Sequence, residues 1–257
     1  MTLSKNKIKY IHSLELKKSR NTEKAFLAEG HKLVGDLLGH FHCRLLVATD
    51  KWFMNNRELQ STDIDEMLIV SEEELSRASL LKTPQQVLAI FDQPEYSMDT
   101  SIINRSLCLA LDGVQDPGNL GSIIRLADWF GIEDVFCTPQ TADIYNPKAV
   151  QATMGGIAHV RIHYVSLLDL IHSIKPETPI YGTFLNGENI YKENLSMNGL
   201  IVMGNEGNGI SGEVSHLINK RLYIPNYPNG RETAESLNVA IATAIVCAEF
   251  RRRIPSL

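Results

Sequence analysis

The sequence holds little that would tie it to a metal, a disulfide framework or a membrane. Its 257 residues include four cysteines, Cys43, Cys108, Cys137 and Cys247, and no two of them have C-x-x-C spacing. This argues against a zinc ribbon or disulfide scaffold and suits a reducing compartment. His40, His42 and Cys43 are close in sequence, but no second group of ligand residues follows nearby, so no metal is expected. His159 and His163 flank a stretch that reads as strand, which keeps their rings off a shared helical face, and they are read as structural. No apolar run approaches membrane-spanning length, and Met1-Thr-Leu-Ser-Lys5 has no signal-peptide core, so no membrane and a cytoplasmic location are expected. No G-x-G-x-x-G follows the first strand, and G-x-x-x-x-G-K-[ST] is missing, which removes most support for dinucleotide or P-loop binding. The formal net charge of −5 does not by itself point to nucleic acid.

What is present is uneven. Lys5, Lys7, Lys9, Lys17, Lys18, Arg20 and Lys24 crowd the first segment, and Arg251, Arg252 and Arg253 come near the end. Such clusters could face phosphates; equally, they could be a solvated helix face and cations at a helix C-terminus. Asn6–Lys18 has the apolar spacing of one amphipathic helix. Segments Ala25–Glu29, Cys43–Ala48, Met67–Val70 and Val87–Phe91 read as strands, with a helix over Gly30–Leu38 and a helix N-terminus at Ser71-Glu-Glu-Glu74. This is the pattern of a small α/β domain over residues 1–95. A polar, proline-containing stretch then marks a boundary, with the linker set at residues 96–106.

Residues 107–257 read differently. Strands are expected at Leu107–Leu111, Val135–Cys137, Val160–His163, Ile180–Thr183, Leu200–Met203 and Arg221–Ile224. Helices are expected over Leu120–Phe130, Pro147–Met154, Ser166–Ile174, Ile210–Leu217 and Glu235–Arg253, with Asn119 as N-cap of the first. Six strands alternating with helices predict a parallel, doubly wound sheet. The stretch Leu200-Ile-Val-Met-Gly-Asn-Glu-Gly-Asn-Gly-Ile-Ser211 is the most informative. A buried strand ends there in a loop with Gly204, Gly207 and Gly209 around Glu206, the usual crevice position for a ligand.

Three segments stand in order: Asn119-Leu-Gly-Ser-Ile-Ile-Arg125, Val202-Met-Gly-Asn-Glu-Gly-Asn-Gly-Ile-Ser211, and Ile224-Pro followed by Ser236-Leu-Asn-Val239. Together they resemble the three signature motifs of the SpoU (TrmH-like) branch of the SPOUT methyltransferases. The likeness covers roughly residues 107–257. Phe26-Leu-Ala-Glu-Gly-His-Lys-Leu-Val34, after a basic helix, is similar to the L30e-like substrate-binding domain that precedes the catalytic domain in many members.

The resemblance implies a C-terminal α/β knot, with a deep trefoil knot and a parallel sheet, working as a homodimer. It implies S-adenosyl-L-methionine as cofactor and RNA ribose 2′-O-methylation as the reaction, on ribosomal RNA in preference to transfer RNA. Carried over by position, the cofactor would meet Thr183, Phe184, Leu185, Gly204, Asn205, Glu206, Gly207, Ile224, Leu237 and Asn238. Asn119, Arg125, Glu206, Ser236 and Asn238 would form the reacting end, with Arg125 engaging the 2′-hydroxyl. A guanidinium stays protonated, so its expected part is positioning and charge stabilisation. One departure is visible: Asn226–Glu235 is longer than the spacer the family often has between Ile-Pro and Ser-Leu-Asn. Two alternatives stay open from the sequence, a catalytically silent RNA-binding dimer and a small-molecule methyltransferase.

Overall fold

The computed structural model describes residues 3–56, 63–228, 231 and 236–253. In chain order these form α1 (Lys5–Ser13), α2 (Lys17–Glu23), β1 (Ala25–Glu29), α3 (His31–Leu37), β2 (Cys43–Thr49), α4 (Asp50–Asn55), β3 (Met67–Val70), α5 (Glu72–Ala78) and β4 (Val87–Asp92). They continue with β5 (Leu107–Asp112), α6 (Pro117–Trp129), β6 (Asp134–Cys137), α7 (Pro147–Thr153), β7 (Arg161–Tyr164) and α8 (Leu167–Ser173). The last are β8 (Ile180–Asn189), β9 (Gly199–Gly204), α9 (Gly212–Leu217), β10 (Lys220–Tyr223) and α10 (Val239–Arg252). None of these helices is long and apolar enough to cross a membrane. By their contacts the residues divide into two compact units, Met1–Glu95 with Asp143–Ala158, and Tyr96–Ala142 with His159–Leu257.

In the first unit, a four-stranded sheet runs in the order β1-β4-β2-β3, with β2 and β3 parallel and the other pairs antiparallel. Ile11, Leu14, Leu27, Leu45, Leu75 and Leu88 form one core with Val47 and Ile90. The helix N-terminus expected at Ser71 is present and is a capping box: the Ser71 Oγ accepts from the Glu74 amide, and the Glu74 carboxylate accepts from the Ser71 amide. The single helix expected over Asn6–Lys18 is two helices. The chain breaks between Leu14 and Leu16, and the break is filled by Arg20, whose Nη1 donates to the Leu14 and Glu15 carbonyls at 2.9 and 2.7 Å. Periodicity alone misses this, because the apolar spacing runs unbroken across the kink. Arg20 is 1% exposed and ion-paired to Asp143 at 2.6 Å, so it is a core residue and no phosphate contact. Phe26 packs on Tyr145 with ring centroids 5.1 Å apart, and α7 lies against β1. The segment Asp143–Ala158 is thus a piece of later chain built into the first unit.

The second unit has six parallel strands in the order β10-β8-β9-β5-β6-β7. From β5 the chain builds outward through β6 and β7, returns beyond β5 to make β8, then fills the gap with β9. The loop after β9 therefore opens at the centre of the sheet's C-terminal edge, where the strand order reverses. Ligands bind at this position in open parallel sheets. Leu200, Ile201, Val202 and Met203 are fully buried there, as the continuous apolar run requires.

The three C-terminal arginines are engaged in holding the chain. Arg251 donates to the Phe130 and Gly131 carbonyls, Arg252 binds Glu249, and Arg253 binds Glu249 and the carbonyls of Ile190 and Glu193. These bonds give the cluster a structural part, while Arg252 stays exposed. The final helix begins at Val239, after the Asn238 cap; Glu235, where its start was expected, lies outside the described residues, as do Gly230 and part of the loop to Glu235.

His163 is buried on Asp134 at 3.0 Å, and Arg161 pairs with the same carboxylate at 2.6 Å. Burial pushes the Asp134 carboxyl up, but these two partners more than offset it and hold its pKa at about 2, against an ordinary 3.8. The stabilisation is therefore complete above pH 4 and is lost as pH falls through about 2. Asp134→Asn is expected to cost about 3 kcal/mol, because it leaves the buried His163 without its carboxylate and Arg161 with Glu133 alone. Thermal unfolding at neutral pH should fall by roughly 10 °C; an unchanged midpoint would show that the cluster contributes nothing.

Candidate active site

The site is built on two loops laced together at the C-terminal ends of β5 and β9. Asp112, at the end of β5, accepts the Ser211 amide at 2.8 Å, and Asn205 Nδ2 donates to the Gly113 carbonyl at 2.7 Å. Gly113 has φ +73°, a conformation open to glycine, and its amide donates to Thr138 Oγ1 at 2.9 Å. The loop after β9 doubles back on itself. Asn205 and Gly209 exchange two backbone hydrogen bonds of 2.9 Å, while Asn205 Oδ1 accepts the amides of Gly207 and Asn208.

Helix α6 starts three residues before the expected Leu120. Its N-cap is Asp116, which accepts the Asn119 amide at 2.9 Å, and not Asn119 as the sequence suggested. The cause is Pro117. Its fixed φ and missing N–H favour the first helical position, which puts the cap one residue earlier in an Asp-Pro pair. With the cap supplied elsewhere, the Asn119 side chain is released from capping.

It enters a relay. Glu206 Oε1 accepts from Asn119 Nδ2 at 3.0 Å and from the Asp116 amide at 3.1 Å, while Oε2 accepts from the Gln115 amide at 3.1 Å. Asn119 Oδ1 then accepts from Asn238 Nδ2 at 3.0 Å, and Asn238 Oδ1 caps α10 through the amides of Ala240 and Ile241. The carboxylate can only accept, so it dictates the orientation of both amides in turn. Burial raises the Glu206 pKa, but the bond from Asn119 and those from backbone amides outweigh it and leave it below the ordinary carboxylate value. Glu206 is therefore charged at neutral pH. With both oxygens occupied, it acts as a hub for the loops and not as a proton acceptor.

A cavity of about 350 Å³ opens beside the relay, within the range of roughly 300–1,000 Å³ common for small-molecule sites. Thr183, Phe184, Leu185, Gly204, Asn205, Glu206, Gly207, Ile224, Ser236 and Leu237 all line it. Of the residues singled out in the sequence, Asn119, Asn238 and Arg125 are not in the lining. Asn119 and Asn238 belong to the relay. Arg125 is exposed on α6 and, among the described residues, makes no ion pair or hydrogen bond. Sequence reasoning missed Met203, Asn208, Gly209, Tyr223, Val239 and Ala242 in the lining. The first and the glycine-loop pair follow from the strand and loop already identified; Val239 and Ala242 follow once the α10 start is known. Asp116 was recoverable from the Asp-Pro pair.

One wall of the cavity is apolar, from Phe184, Leu185, Ile224, Leu237, Val239 and Ala242. Glu206 is the one charged side chain among the described lining residues. An apolar slot with a single carboxylate suits a flat heterocycle joined to a cationic centre, and so fits S-adenosylmethionine with its sulfonium. Fold and site together define a parallel α/β protein with a small-molecule cleft at the centre of its sheet, as the resemblance to a knotted methyltransferase implies.

Comparison with known proteins agrees. Residues 106–248 match the model of the SpoU rRNA Methylase family, and residues 5–89 match the MRM3-like substrate binding domain. The chain is 33% identical, over 95% of its length and 96% of the relative's, to the 23S rRNA (guanosine(2553)-2′-O)-methyltransferase RlmP of Bacillus subtilis. Among solved structures it is similar to a protein assigned to the TrmH family of RNA methyltransferases from Porphyromonas gingivalis, with TM-score 0.85, 41% identity, and 99% and 100% of the two chains covered. The AdoMet-bound rRNA methyltransferase of Sinorhizobium meliloti gives TM-score 0.83, 30% identity, and 100% and 98% coverage. The chain belongs to the SpoU rRNA methylase family. It has that family's SPOUT knot fold and is an S-adenosylmethionine-dependent RNA methyltransferase.

Proposed function

We propose that this chain methylates a ribose 2′-hydroxyl in ribosomal RNA of the large subunit, in the cytoplasm and as a homodimer. The observation that carries the reading is the Glu206–Asn119–Asn238 relay alongside a cavity of cofactor size. The 23S rRNA target of the Bacillus subtilis relative supports the choice of RNA. In support of a dimer, α6 and α10 pack together, and Trp129, Leu237 and Ile241 near them are 83%, 51% and 55% exposed.

S-adenosylmethionine supplies an already electrophilic methyl group. The protein's task is then to align a weak nucleophile and stabilise the negative charge that develops on its oxygen. Arg125, exposed and free of partners among the described residues, is the cation available for this. Asn119 and Asn238 hold their amides in one orientation beside the cavity and exclude rotational freedom from the reacting end. Residues 1–95, completed by Asp143–Ala158, act as an L30e-like RNA-binding domain, and the rest of residues 107–257 as the methyltransferase. With Glu206 held below the ordinary carboxylate pKa by its donors, the hydroxyl proton leaves to an acceptor outside the relay.

The test is a map of ribose methylation in total RNA from cells with and without the gene, followed by in vitro methylation of the site found. Loss of one 2′-O-methyl group in large-subunit RNA is expected. A lost mark in transfer RNA, or none at all, overturns the assignment. Light scattering of the pure protein should give twice the 28.7 kDa chain mass; a monomer removes the dimer.

A further inference from the structure

Strand β8 does not pair continuously with β10. Arg221 lies opposite Gly182, yet the next residue, Leu222, lies opposite Glu188. The five residues Thr183–Gly187 therefore leave the ladder between two successive rungs, and Thr183, Phe184 and Leu185 of this excursion line the cavity. Glycine brackets it on both sides for steric reasons. A Cβ on Gly182 would meet Ile218 Cδ1 at 2.5 Å and Phe184 Cε2 at 2.9 Å. One on Gly187 would meet the Leu222 backbone at 2.5 Å.

The underside of the excursion is held by one side chain. The Arg221 guanidinium carbon sits 3.5 Å from the centroid of the Phe184 ring. Its Nη2 donates to Asn186 Oδ1 and its Nη1 to Ser215 Oγ of α9, each at 3.2 Å. Arg221 thus touches the excursion at two points and fixes itself to a helix at a third. A planar cation that stacks and forks at once is a geometry lysine cannot reproduce.

We propose that Arg221 is a positioning residue for the methyl donor: it clamps the Thr183–Gly187 excursion in the shape that forms the cavity wall, and so sets donor affinity without taking part in methyl transfer. This rests on the cavity being the donor site. Holding the loop in its bound shape before the ligand arrives removes an ordering cost from binding, which is where such a clamp acts.

The experiment is isothermal titration of the full-length protein with S-adenosylmethionine and with S-adenosylhomocysteine, alongside steady-state kinetics on the RNA substrate. Arg221→Ala is expected to weaken both ligands equally, by about tenfold, the scale of one stacking contact plus a hydrogen bond. KM for the donor should rise by the same factor while kcat at saturation falls less than about threefold. Arg221→Lys, which keeps a cation over the ring, should recover part of the affinity. Asn186→Ala should lose a smaller share than Arg221→Ala, and Phe184→Leu combined with Arg221→Ala should cost less than the sum of the two. If wild-type protein binds neither ligand, the donor-site reading itself fails. If wild type binds and Arg221→Ala binds as well, or loses kcat with KM unchanged, the clamp is overturned. Should Arg221→Ala not fold, Arg221→Lys and Asn186→Ala decide: full wild-type affinity in both overturns the proposal.

Discussion

Arg125→Ala is expected to lower kcat by a factor on the order of 10²–10³, the usual cost of removing one donor that stabilises a developing oxyanion. Affinity for S-adenosylmethionine should stay within about twofold, because Arg125 does not line the cavity. Stability should also hold to about 0.5 kcal/mol, as for other surface substitutions, since Arg125 is exposed and unpaired among the described residues. These three readouts together separate a chemical role from a structural one. Arg125→Lys should recover little, because an ammonium is a point charge and lacks the planar fork. Single-turnover methylation of RNA with saturating donor is the measurement, and wild-type turnover in Arg125→Ala would remove the residue from the reaction.

The second large effect is expected at Gly204. A Cβ there would lie 2.2 Å from Gly209 C, 2.3 Å from Ile210 N and 2.6 Å from Gly209 O. All three atoms are backbone, and the two hydrogen bonds between Asn205 and Gly209 hold them in place. No rotamer change relieves such a clash. Gly204→Ala should cost up to about 3 kcal/mol, the upper part of the overpacking range, and lower the melting temperature by roughly 5–10 °C. Since the glycine loop forms one side of the cavity, donor affinity should fall at least tenfold as an order-of-magnitude estimate. Gly207→Ala is the control for stability: its nearest neighbour would be Asn205 Oδ1 at 3.7 Å, an ordinary contact. Equal melting temperatures for the two variants would mean that the loop yields, and that its closure is not what shapes the pocket.

Much of this site could be read from residue order. The apolar run Leu200–Met203 ending in glycines announced both the central strand and the loop that lines the cavity, because a buried parallel strand and a tightly folded loop each need those residue types. The six strands were recognisable from alternation with helices, and their pairing is parallel throughout. What escaped were features decided by contacts distant in sequence. Arg20 reads as one more basic residue until Asp143, 123 positions later, is brought to it. Asn119 reads as a helix cap until Asp116 takes that place and Glu206 claims its amide. The excursion in β8 leaves only its two glycines, Gly182 and Gly187, in the sequence, and the register against β10 is needed to see what they bracket.

Helix α7 and its flanks have a practical side. Asp143–Ala158 lies inside the catalytic half of the gene yet completes the first unit, where Ile144, Ala149, Val150 and Ile157 are buried. A fragment of residues 1–95 would keep the Arg20 guanidinium but lose the carboxylate that neutralises it, and Phe26 would lose its Tyr145 neighbour. A fragment from residue 96 onward would carry four apolar side chains stripped of their bed. Grafting the first unit onto another member of the family therefore requires moving two stretches of gene together, and swaps made at a single junction would exchange only part of a core.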